Sequence, residues 1–201
     1  MQNVLADLCL ESEAATALSL RLARAYDEGD HALRRVGTAV AKYWICKRGP
    51  RLAFEAMECL GGNGYVEDAT PLARIYREMP VNSIWEGSGN VNALDVLRAL
   101  RREPALLEAV LAETRGVDRR IDDFVAGGRG GELDEWGARH AVERIALALQ
   151  AALLVRHAPA YVSDAFLVSR LGGDGGREYG TLPRGVDAAR IVARHTPWPD
   201  A

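Results

Sequence analysis

Apolar positions recur at helical spacing through most of the chain. Val4, Leu5, Leu8, Ala15, Leu18 and Leu22 predict a first helix over about 4–26, which ends at the polar turn Asp27-Glu28-Gly29-Asp30. Val36, Val40, Tyr43 and Trp44 mark a second helical stretch from about Ala32 to Leu60. Gly49-Pro50 lies inside it, and a proline has no N–H and clashes with the preceding turn, so a kink or break is expected there. Gly61-Gly62 stops the stretch, and Asn63-Gly64 suits a tight turn.

Residues 61–87, with Pro71, Pro80 and Gly87, read as irregular. Val91, Leu94 and Leu97 then predict a helix from Gly89 to about Glu103, with a fourth from Pro104 to about Thr114 and a fifth over 117–125. Gly127-Gly128-Arg129-Gly130-Gly131 marks an internal boundary, so that residues 1–126 form one helical half and 132–201 an extension of the same domain. A long helix over about Leu133–His157 carries Trp136, Val142, Ile145, Leu149 and Leu153 on one face. It continues as 158–171 after Pro159, followed by the glycine-rich loop 172–176 and a short helix over about 186–195. No run alternates apolar and polar β-branched residues, so the expected fold is an all-α antiparallel helical bundle.

Composition narrows the function only slightly. The 201 residues are 48% hydrophobic and 26% charged, which is ordinary for a folded domain with a sizeable core. A net charge of −3 gives no bulk support to non-specific nucleic-acid binding. Cys9, Cys46 and Cys59 are too few and too scattered for a disulfide framework and suit a reducing compartment, so a cytoplasmic location is expected. No apolar run predicts a membrane span, and the N-terminal residues lack the pattern of a secretory leader. His31, His140, His157 and His195 show no ligand spacing, so no metal is assigned. Cys59 reads as a small buried apolar residue, and Asp174 and Arg177 carry no chemistry that the sequence explains.

The candidate chemistry lies in residues 55–100. Gly61 and Gly62 lack a Cβ, so a phosphate or pyrophosphate could approach their backbone, although spacing alone favours a plain helix stop, since double glycines end many helices. Glu86, between Trp85 and Gly87, could be a partly desolvated proton acceptor. On spacing alone it is an acid complementing a helix N-terminus, with Ser88 or Asn90 as cap. Arg98 shares a stripe with Val91 and Leu94. It is either paired with Asp95, or packed by its stem, or an arginine that attracts anionic ligands.

The strings KYWICKRGP, EAMECLGGNGY and YREMPVNSIWEGSGN resemble the C-terminal α-domain of the acyl-CoA dehydrogenase family, in particular its AidB-like, alkylation-response branch. The resemblance implies FAD as cofactor and acyl-CoA thioesters as substrates. Glu86 matches the base that removes the proton α to the thioester carbonyl, while other members carry that base on an earlier helix. Ser88 and Asn90 match FAD-bonding positions usually held by Thr and Gln. Trp85 replaces the commoner Tyr against the flavin, and Gly61 and Gly62 match a loop lying on the FAD of a neighbouring subunit. Glu58 departs from the usual Gln, and a carboxylate cannot donate a hydrogen bond.

The family's N-terminal α-domain and middle β-domain have no counterpart in this sequence, so the chain alone is expected to bind FAD poorly and to be inactive. Self-association as a dimer or tetramer is implied. The alternative implied by the branch is a DNA-associating module that uses Arg98, Arg101, Arg102, Arg115, Arg119 and Arg120. Together these expectations make the stretch between the paired glycines and Glu86 one wall of a nucleotide-cofactor cleft, shared or inter-subunit, whose opposite wall is expected to lie outside this polypeptide.

Overall fold

A computed structural model describes residues 1–128 and 134–197. Among them every regular element is a helix. Helix α1 (Gln2–Glu28) ends at Gly29, whose left-handed backbone (φ 74°, ψ 22°) returns its N–H to the Ala25 carbonyl. A π-helical turn, Leu33–Gly37, leads straight into α2 (Thr38–Cys59). Helices α3 (Gly62–Tyr65), α4 (Leu72–Asn82), α5 (Gly89–Arg102), α6 (Ala105–Ala112) and α7 (Arg119–Gly127) follow. After the break come α8 (Ala138–His157), then α9 (Ala160–Phe166) running into a second π turn (Leu167–Leu171), and finally α10 (Ala188–Arg194).

Helix α8 organises the molecule. It is buried on nearly all sides, from Ala138 and Val142 through Leu154, the pattern of a helix surrounded by others rather than lying on a surface. Val142, Ile145, Leu149 and Leu153 pack with Leu18, Val40, Val96 and Leu97 from α1, α2 and α5. Its other side, with Leu147 and Leu154, joins Leu10, Ile121, Phe166 and Ile191. Each such side chain fully withdrawn from water contributes about 1.5–3 kcal/mol. Residues beyond the expected boundary therefore pack against those before it. Residues 129–133, which hold most of that glycine break and the expected helix start at Leu133, lie outside the described residues.

Three local expectations are corrected. Trp136 does not join the apolar face of α8: it precedes the helix in a turn and is 96% exposed. Pro50 does not break α2, which runs through it. One missing N–H is outweighed by packing of α2 along α4, α5 and α8. The stretch read as irregular contains the short α3 and the 11-residue α4, the latter with Pro71 at its N-cap and Pro80 in its last turn. A proline at the start of a helix wastes no donor, and one in the last turn forfeits a single bond.

An ionic cluster ties the C-terminal segment to α1. Arg48 forms a two-pronged pair with Glu11 (2.8 and 2.9 Å), and Arg170 pairs with Asp7. Asp7 also accepts the Gly180 N–H at 3.0 Å, and Asn3 exchanges two hydrogen bonds of 3.0 Å with the Leu182 backbone. Asp7 and Glu11 are almost completely buried, so their charges depend on these partners. Tyr179, buried beside Glu11, has its hydroxyl pushed up to about 12 by desolvation first and then by that carboxylate.

Candidate functional site

Helices α2 and α4 form an antiparallel hairpin. Lys42 near the start of α2 reaches Asn82 at the end of α4, Gly49 lies against Met79, and the Phe54 and Tyr76 rings are 5.7 Å apart. Gly61 and Gly62 follow the far end of α2, whereas Glu86 follows the end of α4. The length of α2 from Lys42 to Cys59 separates them by roughly 25 Å. The two halves of the expected cleft thus lie at opposite ends of one hairpin and do not share a hollow within this chain.

The glycine end is open. Gly61 has φ 58° and ψ −140°, a backbone that a side chain would strain, and nothing lies within 4 Å of where a Cβ on Gly61 or Gly62 would sit. The glycine that sterics demand is Gly64, whose Cβ would fall 2.1 Å from the Met57 carbonyl oxygen. The sequence marked Gly64 only as part of a tight turn, with no sign of this close approach. Glu58 is exposed on the last turn of α2. Cys59 is half-buried rather than buried, and desolvation first, then the nearby Glu55 carboxylate, pushes its thiol up and away from the nucleophilic form. Among the described residues no group of three or more His, Cys, Asp or Glu side chains could hold a metal.

The acidic end is strained and held. Glu86 has φ 54°, the one positive φ outside glycine among the described residues, and Gly87 follows with φ 110°. Such a backbone costs of order 1–3 kcal/mol and persists only where its surroundings fix it. Two side chains do so. Lys42 Nζ donates to the carbonyls of Asn82 (2.7 Å) and Trp85 (2.9 Å). Asn92 Nδ2 donates to those of Gly87 (2.6 Å) and Ser88 (3.1 Å). The sequence reading missed both residues, and nothing in their spacing announces them.

The expected desolvation of Glu86 by Trp85 is not in place. Glu86 is exposed, and the Trp85 ring is itself 57% exposed. Ser88 is the N-cap of α5 by position, yet its hydroxyl accepts no capping bond from the backbone N–H groups of the first turn. The exposed Asn90 does not cap either. Neither polar group is used to cap α5.

Around both ends the surface is unusually apolar. Among the described residues, nine of the thirteen exposed large hydrophobics fall between Phe54 and Val91, including Leu60, Tyr65, Ile84 and Trp85. An exposed apolar surface of this kind marks an interface or ligand wall.

Arg98 is exposed, not inward, and its Nε donates to the Leu94 carbonyl at 3.2 Å. Asp95, its expected partner, belongs instead to Arg35 through bonds of 2.6 and 3.1 Å. Arg115, Arg119 and Arg120 each carry a carboxylate partner, so they form no concentrated positive face.

Comparisons with known proteins agree with this architecture. A family profile described as "Acyl-CoA dehydrogenase, C-terminal domain" matches residues 1–101, half of the chain, including both ends of the hairpin. The chain belongs to the acyl-CoA dehydrogenase family. The AidB protein of Escherichia coli (strain K12) is 50% identical over 132 residues, covering 62% of this chain and 24% of that protein. The apo form of Bd2924 superimposes with a TM-score of 0.62 at 28% identity over 73% of this chain and 31% of that one. Caenorhabditis elegans ACDH-11, solved in complex with C11-CoA, shares the fold with a TM-score of 0.59 at 23% identity, over 92% of this chain and 33% of its own. The chain therefore spans between a quarter and a third of the length of these family relatives.

Proposed function

We propose that this chain is the C-terminal helical part of an FAD-dependent, AidB-like flavoprotein and contributes to the α,β-dehydrogenation of acyl-CoA thioesters. The observation that carries the proposal is the backbone at Glu86. An exposed acid is held in a strained conformation by two side chains, within an apolar surface, at the position where the family resemblance calls for a base.

The residues fit the cofactor. Trp85 offers a broad exposed ring for the flavin to lie against. Ser88 and Asn90 present polar groups not spent on capping α5, and the uncrowded Gly61 and Gly62 admit close approach of a second group. When bound, FAD supplies the hydride acceptor for the substrate β carbon. The chain's own share is proton transfer and orientation. The Glu86 carboxylate takes the proton from the α carbon, the α C–H electron pair becomes the new double bond, and Glu86 leaves the step protonated.

The roughly 25 Å between Glu86 and the glycine pair supports a self-associated enzyme. Each end of the hairpin then serves a different FAD, and the apolar surface between them is covered by neighbouring subunits or by the remainder of the full-length protein.

Glu86→Gln in the full-length protein tests the proposal. The expected result is a fall in kcat of roughly a hundred- to ten-thousandfold with FAD content retained, since loss of a general base removes about 10²–10⁴ of rate. Unchanged turnover would remove Glu86 from the role of base.

A further inference from the structure

We infer that Lys42 and Asn92 are positioning residues that set the direction of the Glu86 carboxylate by clamping the peptide groups on either side of it. The inference rests on the proposed role of Glu86 as base and extends it to two residues on the flanking helices.

The Lys42 and Asn92 hydrogen bonds above lie on both flanks of Glu86. The carbonyl of residue 85 belongs to the peptide that fixes φ of Glu86, and the carbonyl of residue 87 closes the turn into α5. Lys42 comes from α2 and Asn92 from α5, so the turn between α4 and α5 is held from two helices at once.

The chemistry of Lys42 makes the role specific. It is half-buried on α2, and no ion pair is formed by its ammonium among the described residues. A lysine on a surface normally reaches water or a carboxylate. This one gives two of its three donors to main-chain carbonyls, and hydrogen bonds from a charged donor are stronger than neutral ones. Asn92 completes the hold from the other side, and the space above Gly87 is tight. A Cβ at Gly87 would lie 3.3 Å from Asn92 Nδ2. Without the clamps, Glu86 would relax toward negative φ, and its carboxylate would swing away from the direction it now has.

Three substitutions separate positioning from general stability. Lys42→Met keeps the stem and removes the donors, Lys42→Arg restores donors on a longer stem, and Asn92→Asp keeps the shape while removing the N–H groups. Amide hydrogen exchange in the 201-residue chain reads the turn directly. Residues 83–88 should exchange roughly tenfold faster in Lys42→Met and Asn92→Asp. α8 should be unchanged and Lys42→Arg close to the parent. In the full-length protein kcat should fall roughly ten- to a hundredfold with KM within about threefold, because a misplaced base costs turnover rather than binding.

Unchanged exchange in Lys42→Met and Asn92→Asp would overturn the clamp. Faster exchange with unchanged kcat, in a protein where Glu86→Gln is inactive, would overturn the positioning role. If Glu86→Gln retains full turnover, the base assignment falls, and the exchange result alone decides whether the clamp exists.

Discussion

Glu86 is a residue whose identity and conformation disagree. Glutamate has no intrinsic preference for φ 54°, and a glycine already follows it. A structure that needed only a turn could have used two glycines. An acid in that backbone supports the proposed role of Glu86, and one dihedral angle adds that support to the motif.

Asp95 carries a second residue-scale lesson. Sequence spacing offered it to Arg98, three residues along the same helix, but Arg35 in the π turn takes it with two parallel bonds. That side-chain hydrogen bond, ahead of the opposing desolvation, holds the Asp95 carboxyl below the usual carboxylate range. A depressed native pKa adds stability that is present above the unfolded value of about 3.9 and lost as pH falls through the native one. The acid limb of a thermal-unfolding series should therefore flatten below about pH 4 in Arg35→Gln. An unchanged acid limb would show that the pair contributes nothing in solution.

At the scale of elements, the long helices followed their periodicity while the joints did not. Helix α5 begins at Gly89, as its apolar spacing indicated. Helix α4 was hidden by two prolines, each sitting where a helix tolerates it. The two π turns also left no mark in the sequence. Gly64 shows why the joints are fixed in space. Any Cβ there meets the Met57 carbonyl oxygen, which belongs to the backbone of α2 and cannot rotate away. Gly64→Ala should lower stability by about 2 kcal/mol or more by overpacking, measured by denaturant unfolding, with Gly62→Ala close to neutral as the comparison.

For the whole molecule, the C-terminal segment is held by charge as much as by apolar contact. Asp7→Asn would remove the nearer carboxylate from the half-buried Arg170 guanidinium, leaving it Glu11 at 3.5 Å, and weaken the Gly180 bond. Breaking one partner of such a pair costs about 3–5 kcal/mol. The expected outcome is a lower melting temperature together with faster proteolysis in the loop 172–182. A protein that melts like the parent would mean the cluster is dispensable.

The all-α class, the approximate course of the long helices and the family were all legible in the sequence. Helical periodicity and short motifs are local, and a local pattern survives without knowledge of what it packs against. The sequence could not say that the glycine pair and the acid lie at opposite ends of a hairpin, because linear nearness across 61–86 conceals a helix running back along α2. Nor could it reveal that Lys42 and Asn92 hold the acid, or that α8 threads both cores. Those facts depend on which helix faces meet, and burial of apolar surface across the whole chain decides that.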